Sequence, residues 1–148
     1  MNKFDIKYAK ELIAKFNYDD LFSYCKQHSD EPDGEAYIGI CYHNGYGVEK
    51  DAEQAFFYDN KAAQDQSALG LAYLAYDYLY GFGTEKDINK GMGLLNKAVA
   101  FDVPEAYRFL GYCYEDGDKG LESDATKDHV GDRHQRGIPS VNLEHLKV

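Results

Sequence analysis

The sequence is short of cations for its size. Its 148 residues hold 16 Lys and Arg against 26 Asp and Glu, a net charge of −10. That shortage excludes a general phosphate-backbone binder, whose affinity comes from cationic side chains displacing counterions. It favours instead a protein partner with a basic surface, drawn in by long-range attraction. Long apolar runs are missing too. The longest weakly polar stretch, Ala68 to Tyr76, stops at Asp77 and is far too short to span a bilayer. Lys3, Asp5 and Lys7 fall where a secretion signal needs an uninterrupted apolar segment, so a cytoplasmic protein with no membrane contact is expected. Cysteine is scarce. Cys25, Cys41 and Cys113 are an odd number without a Cys-x-x-Cys pair, which leaves neither a disulfide framework nor a structural zinc site to read. Catalytic signatures are absent as well: no Gly-x-Ser-x-Gly, no His-Glu-x-x-His and no Gly-x-x-x-x-Gly-Lys. What is present is 44% apolar and 15% aromatic content, too much for a disordered chain and enough for one domain at this length.

A shift of 36 residues superimposes much of the chain on itself. Gly45, Gly81 and Gly117 coincide, as do Gly47 with Gly83, Asp51 with Asp87, Lys61 with Lys97 and Ala62 with Ala98. Tyr42, Tyr78 and Tyr114 share one phase, and the small residues Gly39, Ala75 and Gly111 share another. A fixed period of this length marks a solenoid. Each period predicts two helices. First helices are expected over 34–44, 70–80 and 105–116, where apolar residues recur at i and i+4: Ile38 and Tyr42, Leu74 and Tyr78, Leu110 and Tyr114. Gly-x-Gly then ends the first two of these helices, because glycine accepts the positive φ of a C-terminal cap. Asp51 and Asp87 stand where N-caps are needed for second helices over 52–64 and 88–101. The small residues Gly39, Ala75, Gly111, Ala55 and Gly91 let helix axes approach. No strand alternation competes, and the class is all-α.

These residues resemble the Sel1-like repeat family, a TPR-related α-solenoid of antiparallel helix pairs. The likeness is carried by Ile38-Gly39, Tyr42, Gly45, Gly47, Val48, Asp51, Ala55 and Lys61-Ala62-Ala63. It continues in Ala106 and Leu110-Gly111 through Tyr114 and Gly117. It implies a superhelix of about three to four helix pairs. Residues 1–124 are expected to form the repeat domain. Within it, 1–33 is a degenerate leading pair with helices over 6–16 and 19–28, and 34–69, 70–104 and 105–124 are repeats, the last incomplete. In the third loop Lys119 replaces the second glycine, with Gly120 next. Residues 125–148 depart from the pattern as a divergent tail or cap: none of the 22 Tyr and Phe lies beyond Tyr114. The family is mostly adaptors and scaffolds, so the resemblance implies protein binding without catalysis and without a cofactor.

At 100° per residue, Ile38 and Tyr42 define one face of the first helix, and Tyr37, Ile40, Cys41 and Asn44 fall on the other. The same rows continue as Tyr73, Tyr76, Asp77 and Tyr80, and then as Phe109, Tyr112, Cys113 and Asp116. In superhelical arrays the first helices line the concave surface. The expected partner-binding residues are therefore Tyr37, Asn44, Tyr73, Tyr76, Asp77, Tyr80, Tyr112, Glu115 and Asp116, an aromatic strip edged with acid. Tyrosine suits docking because it offers large area with few rotamers to freeze. The competing expectation is that the same rings pack between neighbouring repeats. The sharpest functional form is an acidic stoichiometric inhibitor, or immunity-type protein, of a basic toxin. A self-assembling scaffold is the alternative, joined as a homo-oligomer through the incomplete last repeat. An enzyme would have to be a small hydrolase using His43 or the tail residues His129, Asp132 and His134. Gly131 interrupts any helix there, so these are expected to be loop residues and no metal site is assigned. His43, beside the first glycine turn, is expected to pack or cap. Cys41 and Cys113, two periods apart at roughly 20 Å, are too distant to bond.

Overall fold

The computed structural model describes residues 3–118, so Lys119, Gly120 and the tail over 125–148 lie outside the described residues. Within them there are seven helices and no strand: α1 (Ile6–Ala14), α2 (Tyr18–Gln27), α3 (Pro32–Asn44), α4 (Ala52–Gln64), α5 (Ala68–Tyr80), α6 (Ile88–Ala100) and α7 (Pro104–Asp118). The helices stack as consecutive pairs, with α7 opening a fourth. Contacts are most extensive within α3/α4 and α5/α6, then between α4 and α5, and the first helices α3, α5 and α7 also touch in succession. This is the expected all-α solenoid.

Local chemistry sets the helix ends. Gly45 (φ 74°) and Gly81 (φ 66°) take the left-handed cap, donating their N–H groups to the carbonyls of Cys41 and Asp77. Asp51 accepts from the Gln54 N–H at 3.1 Å and Asp87 from the Lys90 N–H at 3.0 Å, which satisfies amides the helix itself leaves orphaned. Asp51→Ala or Asp87→Ala is expected to cost about 1 kcal/mol each. A lower urea midpoint at unchanged m-value is the measurement, and an unmoved midpoint would show the cap to be dispensable.

The small-residue row does what close packing asks of it. A Cβ on Gly39 would lie 2.2 Å from Asp59 Oδ1 in α4, and one on Gly91 would lie 2.7 Å from Leu79 Cγ in α5. Gly111 differs: nothing among the described residues, its own helix backbone and chain neighbours aside, lies within 4 Å of its Cβ position. The core runs the length of the stack through Leu21, Ile38, Leu79 and Leu95, and all three cysteines are buried free thiols. Four carboxylates are buried with this apolar core, those of Glu35, Asp59, Asp77 and Asp116. Lys61 reaches Glu35 at 2.6 Å.

Candidate functional site

Four first helices and the glycine turns line one inner face. Two adjoining cavities of about 680 and 410 Å³ occupy it, sharing Lys10, Tyr37 and Glu105, and no residue of α2, α4 or α6 lines either. The larger cavity lies along the N-terminal ends of α3, α5 and α7, and the smaller runs from the middle of these helices to the turns.

Of the expected partner-binding residues, Tyr37, Asn44, Tyr73, Tyr76 and Tyr112 line the smaller cavity together. They differ in what they offer. Tyr37 and Tyr73 are buried at 2% and 8% exposure, Tyr76 is half-buried, and Asn44 and Tyr112 are exposed. Asn44 Nδ2 donates to the Ile40 carbonyl at 3.1 Å. Arg108 Nη2 donates to the Tyr73 hydroxyl at 3.3 Å. Burial pushes the Tyr73 hydroxyl well above its ordinary range despite the pull of that guanidinium, and burial raises Tyr37 and Tyr76 in the same sense. The rings are also in contact along the stack: Tyr73 meets Phe109 edge-on at 5.0 Å, and Tyr76 meets Phe109 at 5.1 Å.

The expected acid edge is not on this face. Asp77 is fully buried and turned toward α4. Asp116 is 3% exposed and accepts a hydrogen bond from the Tyr80 hydroxyl, so these two engage each other. Glu115 is exposed but lines neither cavity. The expectation that Asp77 and Asp116 rim an open strip is corrected by their burial. The first helices pack on neighbours along that flank and leave only a narrow row free. In place of acid, the smaller cavity carries Lys10, Lys50 and Arg108 against Glu105. The larger one carries Glu31, Asp33, Asp102 and Glu105 against Lys3 and Lys10. The inner face is thus charge-segregated, acidic toward the helix N-termini and basic toward the turns.

Behind this face lies a buried polar cluster. His43 packs face-to-face on Phe82, with ring centroids 4.6 Å apart and planes 10° apart, and stands 5.0 Å from Tyr73. Its Nε2 lies 2.7 Å from Asp59 Oδ2 and 3.3 Å from Asp77 Oδ1. Both carboxylates are at 0% exposure and His43 is at 8%. Burial, and then the charge of Asp59, push the Asp77 carboxyl up to about 12. His43 does pack, as expected, but its polar partners were not anticipated. The available signal was a break in the repeat: one period on, His43 and Asp59 become Leu79 and Leu95. The tail residues His129, Asp132 and His134 lie outside the described residues.

Burial, and then Asp116, push Cys113 up to about 12. The neighbouring Cys25 thiol, and then burial, raise Cys41 as well. Among the described residues no helix is long and apolar enough to cross a membrane.

Comparison with known proteins agrees with this architecture. A family model, the Sel1 repeat, matches residues 32–67, 68–100 and 104–127. Among solved structures, a Sel1 repeat protein from Oxalobacter formigenes is similar at TM-score 0.62 and 22% identity, over 97% of this chain and 54% of that one. A protective antigen present in uropathogenic Escherichia coli strains, displaying an SLR fold, is similar at TM-score 0.61 and 20% identity, over 88% of this chain and 26% of that one. The chain thus spans about half the length of the first protein and a quarter of the second. No curated protein matches it.

Proposed function

Because the chain belongs to the Sel1 repeat family, whose members generally mediate protein–protein interaction, we propose that its inner face binds an extended segment of a partner protein and carries out no catalysis there. The observation behind this reading is that side chains from four successive first helices, α1, α3, α5 and α7, line one continuous groove. The binding unit proposed with it is the repeat domain over 1–124. Tyr76 and Tyr112 supply the accessible aromatic area, and Tyr37 and Tyr73 form its floor. Charge sets the orientation. A basic stretch of the partner lies against Glu31, Asp33, Asp102 and Glu105, and an acidic one against Lys50 and Arg108.

Truncating a central aromatic or reversing a central charge removes about 2 kcal/mol or more where the contact is desolvated. Tyr76→Ala, Tyr112→Ala and Arg108→Glu are therefore each expected to weaken a co-purified partner by about 30-fold, while Glu115→Ala, outside the groove, leaves binding within about 2-fold. Surface plasmon resonance with the partner identified by mass spectrometry from source lysate is the measurement. Equal losses for Glu115→Ala, or none for the groove variants, would sink the groove.

The narrower form is a stoichiometric inhibitor or immunity-type protein for a basic toxin. It draws on the net charge of −10 and on the acidic half of the groove. It requires a 1:1 complex whose association rate falls with added salt. Self-association through the last repeat is the second reading, favoured by Tyr107 at 48% exposure and by Phe101, at the end of the preceding repeat, at 66%. A mass that rises with concentration in light scattering would establish it.

A further inference from the structure

The repeat itself shows what the fold requires at the junction of a first helix, its partner and the next first helix. His43, Asp59 and Asp77 advance by 36 residues onto Leu79, Leu95 and Cys113, and those three are fully buried where α5, α6 and α7 meet. Two leucines and a thiol therefore satisfy the same packing. Buried ionisable groups carry a desolvation cost that an apolar core avoids, so packing alone gives no reason for the polar trio between α3, α4 and α5.

The donors are those of a metal site. One imidazole nitrogen and two carboxylate oxygens, each from a different helix, lie within 4.8 Å of one another. Ligands bound tetrahedrally at 2.0–2.2 Å from zinc stand about 3.3–3.6 Å apart; the 3.3 Å from His43 Nε2 to Asp77 Oδ1 matches that spacing, and the 2.7 Å hydrogen-bond contact with Asp59 Oδ2 would lengthen by about 0.6 Å on binding. A second observation points the same way. Asp77 is at 0% exposure, yet beyond the 3.3 Å ion-pair contact with His43 and its contact with the Asp59 carboxyl neither of its oxygens has a hydrogen-bond partner, and Asp59 Oδ1 has none either. One oxygen of each carboxylate and the imidazole nitrogen lie within reach of a single cation, which would answer the unmet acceptor capacity of the pair.

We propose that His43, Asp59 and Asp77 form a binding site for one divalent transition-metal ion of the zinc class, at the junction of α3, α4 and α5 behind the groove. A mixed imidazole and carboxylate set suits zinc, manganese and iron(II), and holds no thiolate that would favour softer ions. Phe82 and Tyr73 hold the His43 ring between them, and Gly39 leaves the room that Asp59 needs. The ligands come from two consecutive repeats, so a bound ion fastens one to the next. This reading is independent of what occupies the groove.

Zinc chloride titrated calorimetrically into the metal-stripped full chain is the test, with cobalt(II) absorbance as a second readout. One ion per chain is expected, with the visible bands of four-coordinate cobalt, and the H129A/H134A variant should keep both. D59N, which preserves shape, should weaken zinc by at least about 100-fold with unchanged helical circular dichroism. H43L/D59L/D77C, which copies the next repeat, should take up none. No uptake by the unaltered chain overturns the site, as does uptake untouched by D59N or uptake abolished in H129A/H134A.

Discussion

The H43L/D59L/D77C variant, stripped of metal, is expected to be more stable than the unaltered chain by about 1–4 kcal/mol, whereas Asp59→Ala alone should be less stable by about 3 kcal/mol. The opposite signs come from one cause. Replacing a whole buried polar group by apolar residues removes every desolvation cost together with the attraction that partly offset it. Removing one member leaves the others buried with a poorer set of partners, and opens a cavity where the carboxylate stood. The internal repeat makes the triple change sterically credible. Leu95 packs at the equivalent junction although Ala75 there is larger than Gly39 here. Urea denaturation in the presence of a chelator measures both variants. If the triple variant also loses stability, the cluster contributes to folding in its own right and the comparison between repeats fails as a guide.

The elements that sequence reveals well are those fixed by neighbours along the chain. Gly45 and Gly81 take positive φ, Asp51 and Asp87 cap, and α4 begins and ends where the pattern places it, because each depends on a turn or less of backbone. The inner face is harder. A helical wheel sets Asp77 beside Tyr73, Tyr76 and Tyr80 on one side of α5. But α5 touches α3, α4, α6 and α7, and it keeps no exposed residue, only a half-buried row. Tyr76 falls within that row; Asp77, one residue and about 100° further round, falls against α4. Stacking in register also brings residue i against residue i+36, which is why Tyr73 meets Phe109 and Tyr80 meets Asp116. Net charge misleads for a similar reason. It counts the buried carboxylates equally with exposed ones and cannot place Lys10, Lys50 and Arg108 together. The residues that break the repeat, His43 and Asp59 above all, are the signal in the sequence from which the cluster could have been found.

Gly83→Ala is expected to destabilise the chain by about 3 kcal/mol and Gly45→Ala by about 1 kcal/mol, although both glycines adopt nearly the same backbone conformation, φ 76° and 74°. The shared part is the cost of holding an alanine in the left-handed region. The difference is steric. At Gly45 an added Cβ meets nothing closer than 3.6 Å, whereas at Gly83 it would lie 2.1 Å from the Ala52 carbonyl oxygen and 2.7 Å from its carbon. These are backbone atoms at the start of α4, which no change of rotamer moves aside, so the turn has to lift away from the preceding pair. Gly47 makes the equivalent approach one repeat earlier, where a Cβ would lie 2.3 Å from the Tyr18 carbonyl oxygen. Thermal and urea denaturation of the two variants separate the roles. Equal losses would make both glycines turn residues and nothing more. Unequal losses would make the second glycine of each pair the spacer that seats one repeat on the last. In that case Phe82, the residue before it, keeps its place over His43 only because position 83 carries no side chain.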